Sequence, residues 1–277
     1  MLPFHYGNKR TIKAKTVIYS QNSKVSQKAA NVLYLLNGKA MIARKIGDKY
    51  FRMGLGENMI FGLQDSFSAE TRITTAISLE DIEVYCWDEE CFFRNVGVDI
   101  QLARMATYSL CRELRFLNDC REKSFSEKEE TAEDKFVVNE DMQMAGLLYN
   151  LAFNKGSEEI PEEITKQFGK TYNPGEVIIT ENDKSDEIYI LVEGTVEVSK
   201  GGKTICTVPA GEIFGEMSHF ENKPRAATIK AVDKLKVLCL EPKNFNVLYQ
   251  LHPNWSFNLI KSLCRRIKNA YLAIKWS

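Results

Sequence analysis

Residues 214–228 read Phe-Gly-Glu-Met-Ser-His-Phe-Glu-Asn-Lys-Pro-Arg-Ala-Ala-Thr, and they carry groups suited to a sugar phosphate. Glu216 can accept hydrogen bonds from a sugar diol. Arg225 presents a planar fork that gives two N–H groups to two phosphate oxygens. Gly215 has no Cβ, so backbone there can approach a ligand closely. Ala226 and Ala227 leave their amides open to an anion. His219 lies inside the run, but no Ser, Cys or Asp stands at a spacing that would make it a base. It reads as a loop residue above the pocket. The plainer alternative for Glu216 and Arg225 is an ion pair in a surface loop.

Short strands must position this run. Asn173-Pro174-Gly175 has the residues of a tight turn. Strand material follows at 176–179, 188–192, 196–198, 204–208 and 229–240, with Gly201-Gly202 closing a hairpin. Many short strands at this spacing imply a mainly β protein of jelly-roll type with flanking helices.

The run resembles the phosphate-binding cassette of the cyclic-nucleotide-binding domain family, which includes the protein kinase A regulatory subunit and catabolite activator proteins. The carriers are Phe-Gly-Glu at 214–216, Arg225 nine positions after the acid, and Pro-Arg-Ala-Ala-Thr at 224–228. The resemblance implies that Glu216 holds the ribose 2′-hydroxyl and Arg225 the cyclic phosphate, helped by the amides of Gly215 and Ala226. It makes Gly215, Glu216, Met217, Arg225, Ala226 and Ala227 the ligand-binding set. Alanine after the arginine accompanies cyclic AMP in the family, and Thr or Ser often accompanies cyclic GMP. Ala226 therefore implies cyclic AMP, with cyclic GMP weaker. Family members also cap the base with an apolar or aromatic residue from the C-terminal helix. Tyr271 is the candidate and Trp276 the second, because an aromatic ring can stack on a base.

The first half repeats the pattern. Residues 33–40 match 189–196 in outline, Phe61-Gly62 matches Phe214-Gly215, Arg72 falls at Arg225, and Thr75 at Thr228. Leu63 stands where Glu216 stands, and Ile73 and Thr74 replace the two alanines. A leucine cannot pair a ribose hydroxyl, and burying that hydroxyl unpaired costs about 1–3 kcal/mol. This copy is expected not to bind cyclic nucleotide usefully. A different ligand on Arg72 is the alternative.

The expected organisation is a degenerate copy over 1–118, a charged linker over 119–137, and an intact copy over 138–277. Residues 99–117 read as a helix with an apolar stripe through Ala103, Ala106, Leu110, Leu114 and Leu117. The stripe docks on its own roll or pairs with a second subunit, giving a homodimer. Residues 142–153 and 161–167 read as helices, and 139–169 occupy the place of a family element that moves on ligand binding. In the C-terminal segment, Leu263, Ile267, Tyr271 and Ile274 share one helical face, while Lys261, Arg265 and Lys268 form a solvated one.

Composition narrows the function. The 37 basic and 37 acidic residues give no net charge, so bulk attraction to nucleic acid or anionic lipid is not indicated. No apolar run approaches the roughly 20 residues of a membrane span, and no signal peptide is visible. Seven cysteines and three histidines are scattered; the reading is reduced thiols in cytoplasm, with no metal and no cofactor beyond the nucleotide ligand. Nothing resembles a catalytic constellation, a nucleoside-triphosphate loop or a kinase signature. The sequence thus implies a non-enzymatic cyclic-nucleotide sensor that signals to an unidentified protein partner. One rival is a DNA-binding regulator, for which the acidic middle segment has the wrong sign and Ser277 leaves no room for a helix-turn-helix. The other is a scaffold that has lost its ligand. No segment with adjacent arginines precedes the first copy, so kinase inhibition is not implied.

Overall fold

The computed structural model describes residues 7–25, 31–65, 71–124, 162–251 and 253–274. The helix expected over 142–153 and Trp276 lie outside these residues.

The chain divides into two compact units, Met1–Leu117 with Leu259–Ser277, and Asn118–Asn258. The first unit contains β1 (Asn8–Ile12), β2 (Val17–Tyr19), β3 (Val32–Asn37), β4 (Ala40–Ile46), β5 (Lys49–Leu55), β6 (Ile60–Phe61), β7 (Thr75–Ser78) and β8 (Ile82–Trp87). Its two antiparallel sheets run β1-β8-β3-β6 and β2-β7-β4-β5. The second contains β9 (Gly169–Tyr172), β10 (Val177–Ile179), β11 (Ile188–Glu193), β12 (Thr195–Lys200), β13 (Lys203–Pro209), β14 (Ile213–Phe214), β15 (Thr228–Ala231) and β16 (Leu235–Leu240). Its sheets run β9-β16-β11-β14 and β10-β15-β12-β13. Adding eight to each strand number of the first roll gives the order of the second, so the two are the same eight-stranded β-roll.

Local chemistry explains the elements. In β5, Phe51, Met53 and Leu55 are buried and alternate with exposed neighbours, as one core-facing side of an antiparallel sheet requires. The Asn173–Glu176 turn closes through the Glu176 amide on the Asn173 carbonyl at 3.1 Å, with Gly175 at φ 85°. The Gly201-Gly202 pair has positive φ at both residues and joins Lys200 to its partner Lys203. That geometry matches the twist of a two-residue hairpin. The core of the second roll gathers Leu191, Val196, Val208, Phe214, Ile229, Leu235 and Val237. Full burial of each aliphatic side chain contributes about 1.5–3 kcal/mol. Tyr189 stacks on Phe214 with centroids 5.1 Å apart.

Helix α1 (Glu89–Val96) is capped by Asp88, whose carboxylate accepts from the Cys91 amide at 2.7 Å. Helix α2 (Ile100–Ser124) buries the whole expected stripe, Ala103 through Leu117. Ser109 on this helix accepts from the Ile60 amide at 2.9 Å, which docks it on β6. The stripe is covered within the chain, so that face is not free to seam two copies. Residues 119–124, expected at the start of a linker, continue α2. Arg121 is buried and donates to the Ile205 carbonyl at 3.0 Å, and Asp119 pairs with Lys200. Helix α3 (Glu162–Phe168) leads into β9, close to the expected 161–167. Helices α4 (Glu216–Glu221), α5 (Pro242–Leu251) and α6 (Pro253–Ala273) follow their strands. The expected unit 138–277 is divided, because Leu259–Ser277 packs with the first roll. Among the described residues no helix is long and apolar enough to cross a membrane.

Candidate functional site

The second roll builds its site on the turn between β14 and α4. Gly215 holds this turn at φ 81°. A Cβ there would lie 2.8 Å from the Glu187 carbonyl and 2.9 Å from Arg225 Nη1. The position therefore excludes a side chain on both conformational and steric grounds. Glu216 begins α4 and is 1% exposed, Met217 follows half-buried, and Ala226 and Ala227 are half-buried and buried. The structure thus gathers Gly215, Glu216, Met217, Arg225, Ala226 and Ala227 around the β14–α4 turn and the segment entering β15.

Arg225 is 3% exposed, and its backbone is pinned before its side chain acts. Its amide donates to the Asp183 carbonyl at 2.8 Å, and its carbonyl accepts from the Asn182 amide at 3.0 Å. Asn182 takes φ 69°, a left-handed conformation that asparagine tolerates. The guanidinium spreads over five acceptors. Nε donates to Ser185 Oγ at 2.9 Å. Nη1 donates to the Gly215 carbonyl at 2.8 Å and Ser218 Oγ at 2.9 Å. Nη2 donates to the Glu187 carbonyl at 2.9 Å and Glu187 Oε2 at 3.3 Å. Four acceptors are neutral. The one carboxylate has the longest of the five contacts, and its side chain is 38% exposed. The buried cation is oriented by neutral groups and paired loosely at the solvent edge. Among the described residues no protein acceptor meets the Ala226 amide.

In the first roll Gly62 repeats the turn at φ 80°, and a Cβ there would lie 2.3 Å from the Asn31 carbonyl. The Arg72 amide donates to the Ser23 carbonyl at 2.8 Å, and its carbonyl accepts from the Asn22 amide at 2.8 Å. This repeats the anchor of Arg225. The side-chain partners differ. Arg72 Nη1 donates to the Gly62 carbonyl at 3.0 Å and to Asp65 Oδ2 at 3.1 Å. Nη2 donates to Asn31 Oδ1 at 2.8 Å. The Asp65 side chain is 0% exposed, and its Oδ1 accepts from the Ile73 amide at 3.0 Å. Burial pushes the Asp65 carboxyl up, while the Ile73 amide and the Arg72 charge pull it back. The Arg72 guanidinium also lies 4.2 Å from the Tyr19 ring centroid. Sequence reading named Leu63, Ile73 and Thr74 as the departures in this copy but missed Asp65. The signal was available: aligning Gly-Leu-Gln-Asp at 62–65 with Gly-Glu-Met-Ser at 215–218 places Asp65 on Ser218.

Two expectations need correction. Tyr271, the expected base-stacking cap, belongs to the first unit and is fully buried there. Its ring packs edge-on against Phe51 at 5.6 Å, and its hydroxyl donates to Glu113 Oε1 at 2.7 Å. It is a core residue rather than a free lid. Burial pushes the Glu113 carboxyl up to about 7, with the Tyr271 hydrogen bond opposing and the nearby Asp65 charge adding. Cys264, on the same stretch of α6, donates its thiol to the Leu63 carbonyl at 3.5 Å. His219 is not a loop residue. It sits on α4, with Nε2 3.2 Å from Asn246 Oδ1 and its ring against Phe220 and Phe245.

Residues 169–252 match the family model described as cyclic nucleotide-binding domain. Human cGMP-dependent protein kinase 2 is 30% identical over 88 residues, covering 32% of this chain and 12% of the kinase. The cAMP-dependent protein kinase regulatory subunit of Debaryomyces hansenii is 27% identical over 196 residues, covering 70% of this chain and 36% of the subunit. The chain thus spans about a third or less of the length of these relatives. The solved regulatory domain of Toxoplasma gondii PKA with cAMP matches at 17% identity and a TM-score of 0.32, covering 91% of this chain and 85% of that one. With its Phe-Gly-Glu and Pro-Arg-Ala-Ala-Thr residues assembled on one roll, the second roll is the part of the chain that matches the cyclic nucleotide-binding domain family model.

Proposed function

We propose that the second roll is a cyclic AMP sensor whose occupancy is read by a protein partner. The observation that supports it most is the state of Arg225. It is a buried cation with neutral inner acceptors and a loose outer carboxylate. A buried charge whose one counter-ion is a half-exposed carboxylate at the solvent edge favours an incoming anion. A cyclic phosphate brings one oxygen to the guanidinium, displacing Glu187 Oε2, and another to the open Ala226 amide. Glu216, two residues before Ser218 on the same turn-and-helix element, takes the ribose hydroxyl. Ala226 adds no hydroxyl where a guanine-selective partner would stand, so adenine is the favoured base. The relatives' names include both nucleotides, and base choice rests on Ala226 alone.

Signalling requires differential affinity. The nucleotide shifts the protein between arrangements only by the ratio of its affinities for them. Calorimetry on the full chain is the direct test. Cyclic AMP is expected to bind, with cyclic GMP weaker. No heat and no thermal shift with either nucleotide would defeat the proposal. A nucleotide-dependent pull-down then identifies the partner.

A further inference from the structure

We propose that Asp65 is a built-in substitute for the ligand phosphate in the first roll, so that this roll is permanently neutralised and closed to cyclic nucleotide. The inference rests on the reading of Arg225 and the Ala226 amide as the phosphate contacts of the second roll. Their equivalents are Arg72 and the Ile73 amide. Asp65 meets both at once, one oxygen on each, at 3.1 and 3.0 Å. Two oxygens of one anion, one on the guanidinium and one on the amide after it, is the contact pattern a cyclic phosphate would make. The equivalent residue in the second roll, Ser218, is neutral: its Oγ accepts from the guanidinium at 2.9 Å and donates to the Gly215 carbonyl at 3.1 Å, and it does not meet the Ala226 amide.

Three further observations agree. The carboxylate is wholly buried and the guanidinium nearly so, so the pair excludes water and its charge is satisfied internally. Leu63, buried where Glu216 stands, offers no acceptor to a ribose. The Leu63 carbonyl is covered by Cys264, so a segment of the same unit lies where a ligand would approach. Asp65 explains why the first roll keeps a buried arginine at all. Without an anion at this place, Arg72 would be a buried charge with only neutral partners, a costly arrangement.

Chemical rescue tests this in the full chain carrying Arg225→Ala, which silences the second roll. Asp65→Ser, copying Ser218, is expected to lower the melting temperature. Inorganic phosphate is expected to restore several degrees relative to sodium chloride at equal ionic strength. Asp65→Asn keeps the place filled and removes the charge, so it should melt lower and ignore phosphate. Adding Arg72→Ala to Asp65→Ser should abolish the rescue. If Asp65→Ser cannot fold alone, refolding in phosphate but not in chloride supports the proposal. Absence of any phosphate effect on its melting or refolding overturns it. So does a rescue that persists without Arg72. Failure of nucleotide binding by the unmodified chain would count against the sensor reading alone, because the rescue is read on a different arginine.

Discussion

Arg72 and Arg225 hang from the same scaffold. Each follows a Phe-Gly turn with its glycine near φ 80°. Each is clamped through its amide and carbonyl to the loop after the second strand of its roll. Each is followed three residues later by a threonine, Thr75 or Thr228, whose hydroxyl accepts from the Gln21 or Glu181 amide. From this common frame the two side chains meet different chemistry. Arg72 finds a buried carboxylate, and Arg225 finds neutral oxygens and one half-exposed acid. In the helical turn after the glycine, aspartate in the first roll and serine in the second is the difference that the arginine meets directly. A shared fold positions the arginine, and in the proposal above the residue three places past the glycine decides whether it is available.

The largest expected effect tests the open half of this contrast. Arg225→Ala should cost about 2–5 kcal/mol of cyclic AMP binding, because a buried phosphate charge loses its partner. Titration calorimetry reads this directly, and an unchanged affinity would place the phosphate elsewhere.

The closed half should carry its own pH signature. Glu113 has a folded value near 7 against an ordinary 4.5. The native state therefore binds the proton more tightly than the unfolded chain, and the contribution is fully present below 4.5 and lost as pH rises through 7. The loss is on the order of a few kcal/mol. Denaturant titrations should show the first roll weakening over that window, and Glu113→Gln should flatten the dependence. A first roll equally stable at both ends would show that Glu113 is not held neutral against Tyr271.

The two glycines come next. Gly215→Ala and Gly62→Ala each force a side chain into positive φ and into a carbonyl 2.8 or 2.3 Å away. Each should destabilise its roll by about 1–3 kcal/mol. Only Gly215→Ala should also weaken nucleotide binding, since only that turn carries an available arginine. Comparable losses of binding from both would mean that the rolls are functionally alike.

The smallest effect is an expected silence. Leu63→Glu restores the ribose acceptor by type but leaves Asp65 on Arg72, so calorimetry should find no second site. Appearance of tight two-site binding would break the comparison outright.

The sequence already held the strand segments of the second roll and the residues of the cassette. Both follow from local rules: glycines where φ must be positive, alternation where one sheet face is buried, and fixed spacing between an acid and an arginine. The repeat was legible because the same rules apply twice. What remained hidden concerned which groups meet across the chain. The stripe of Leu263, Ile267, Tyr271 and Ile274 has the phase of a helix face, but phase does not say which roll the face covers. The structure assigns it to the first unit, where Tyr271 meets Glu113. Asp65 read as one acid among 37 acidic residues. Only the turn that brings its two oxygens onto the Arg72 guanidinium and the Ile73 amide makes it a counter-ion, because short-range pairing in a dry interior depends on ångström placement that residue type and spacing do not specify.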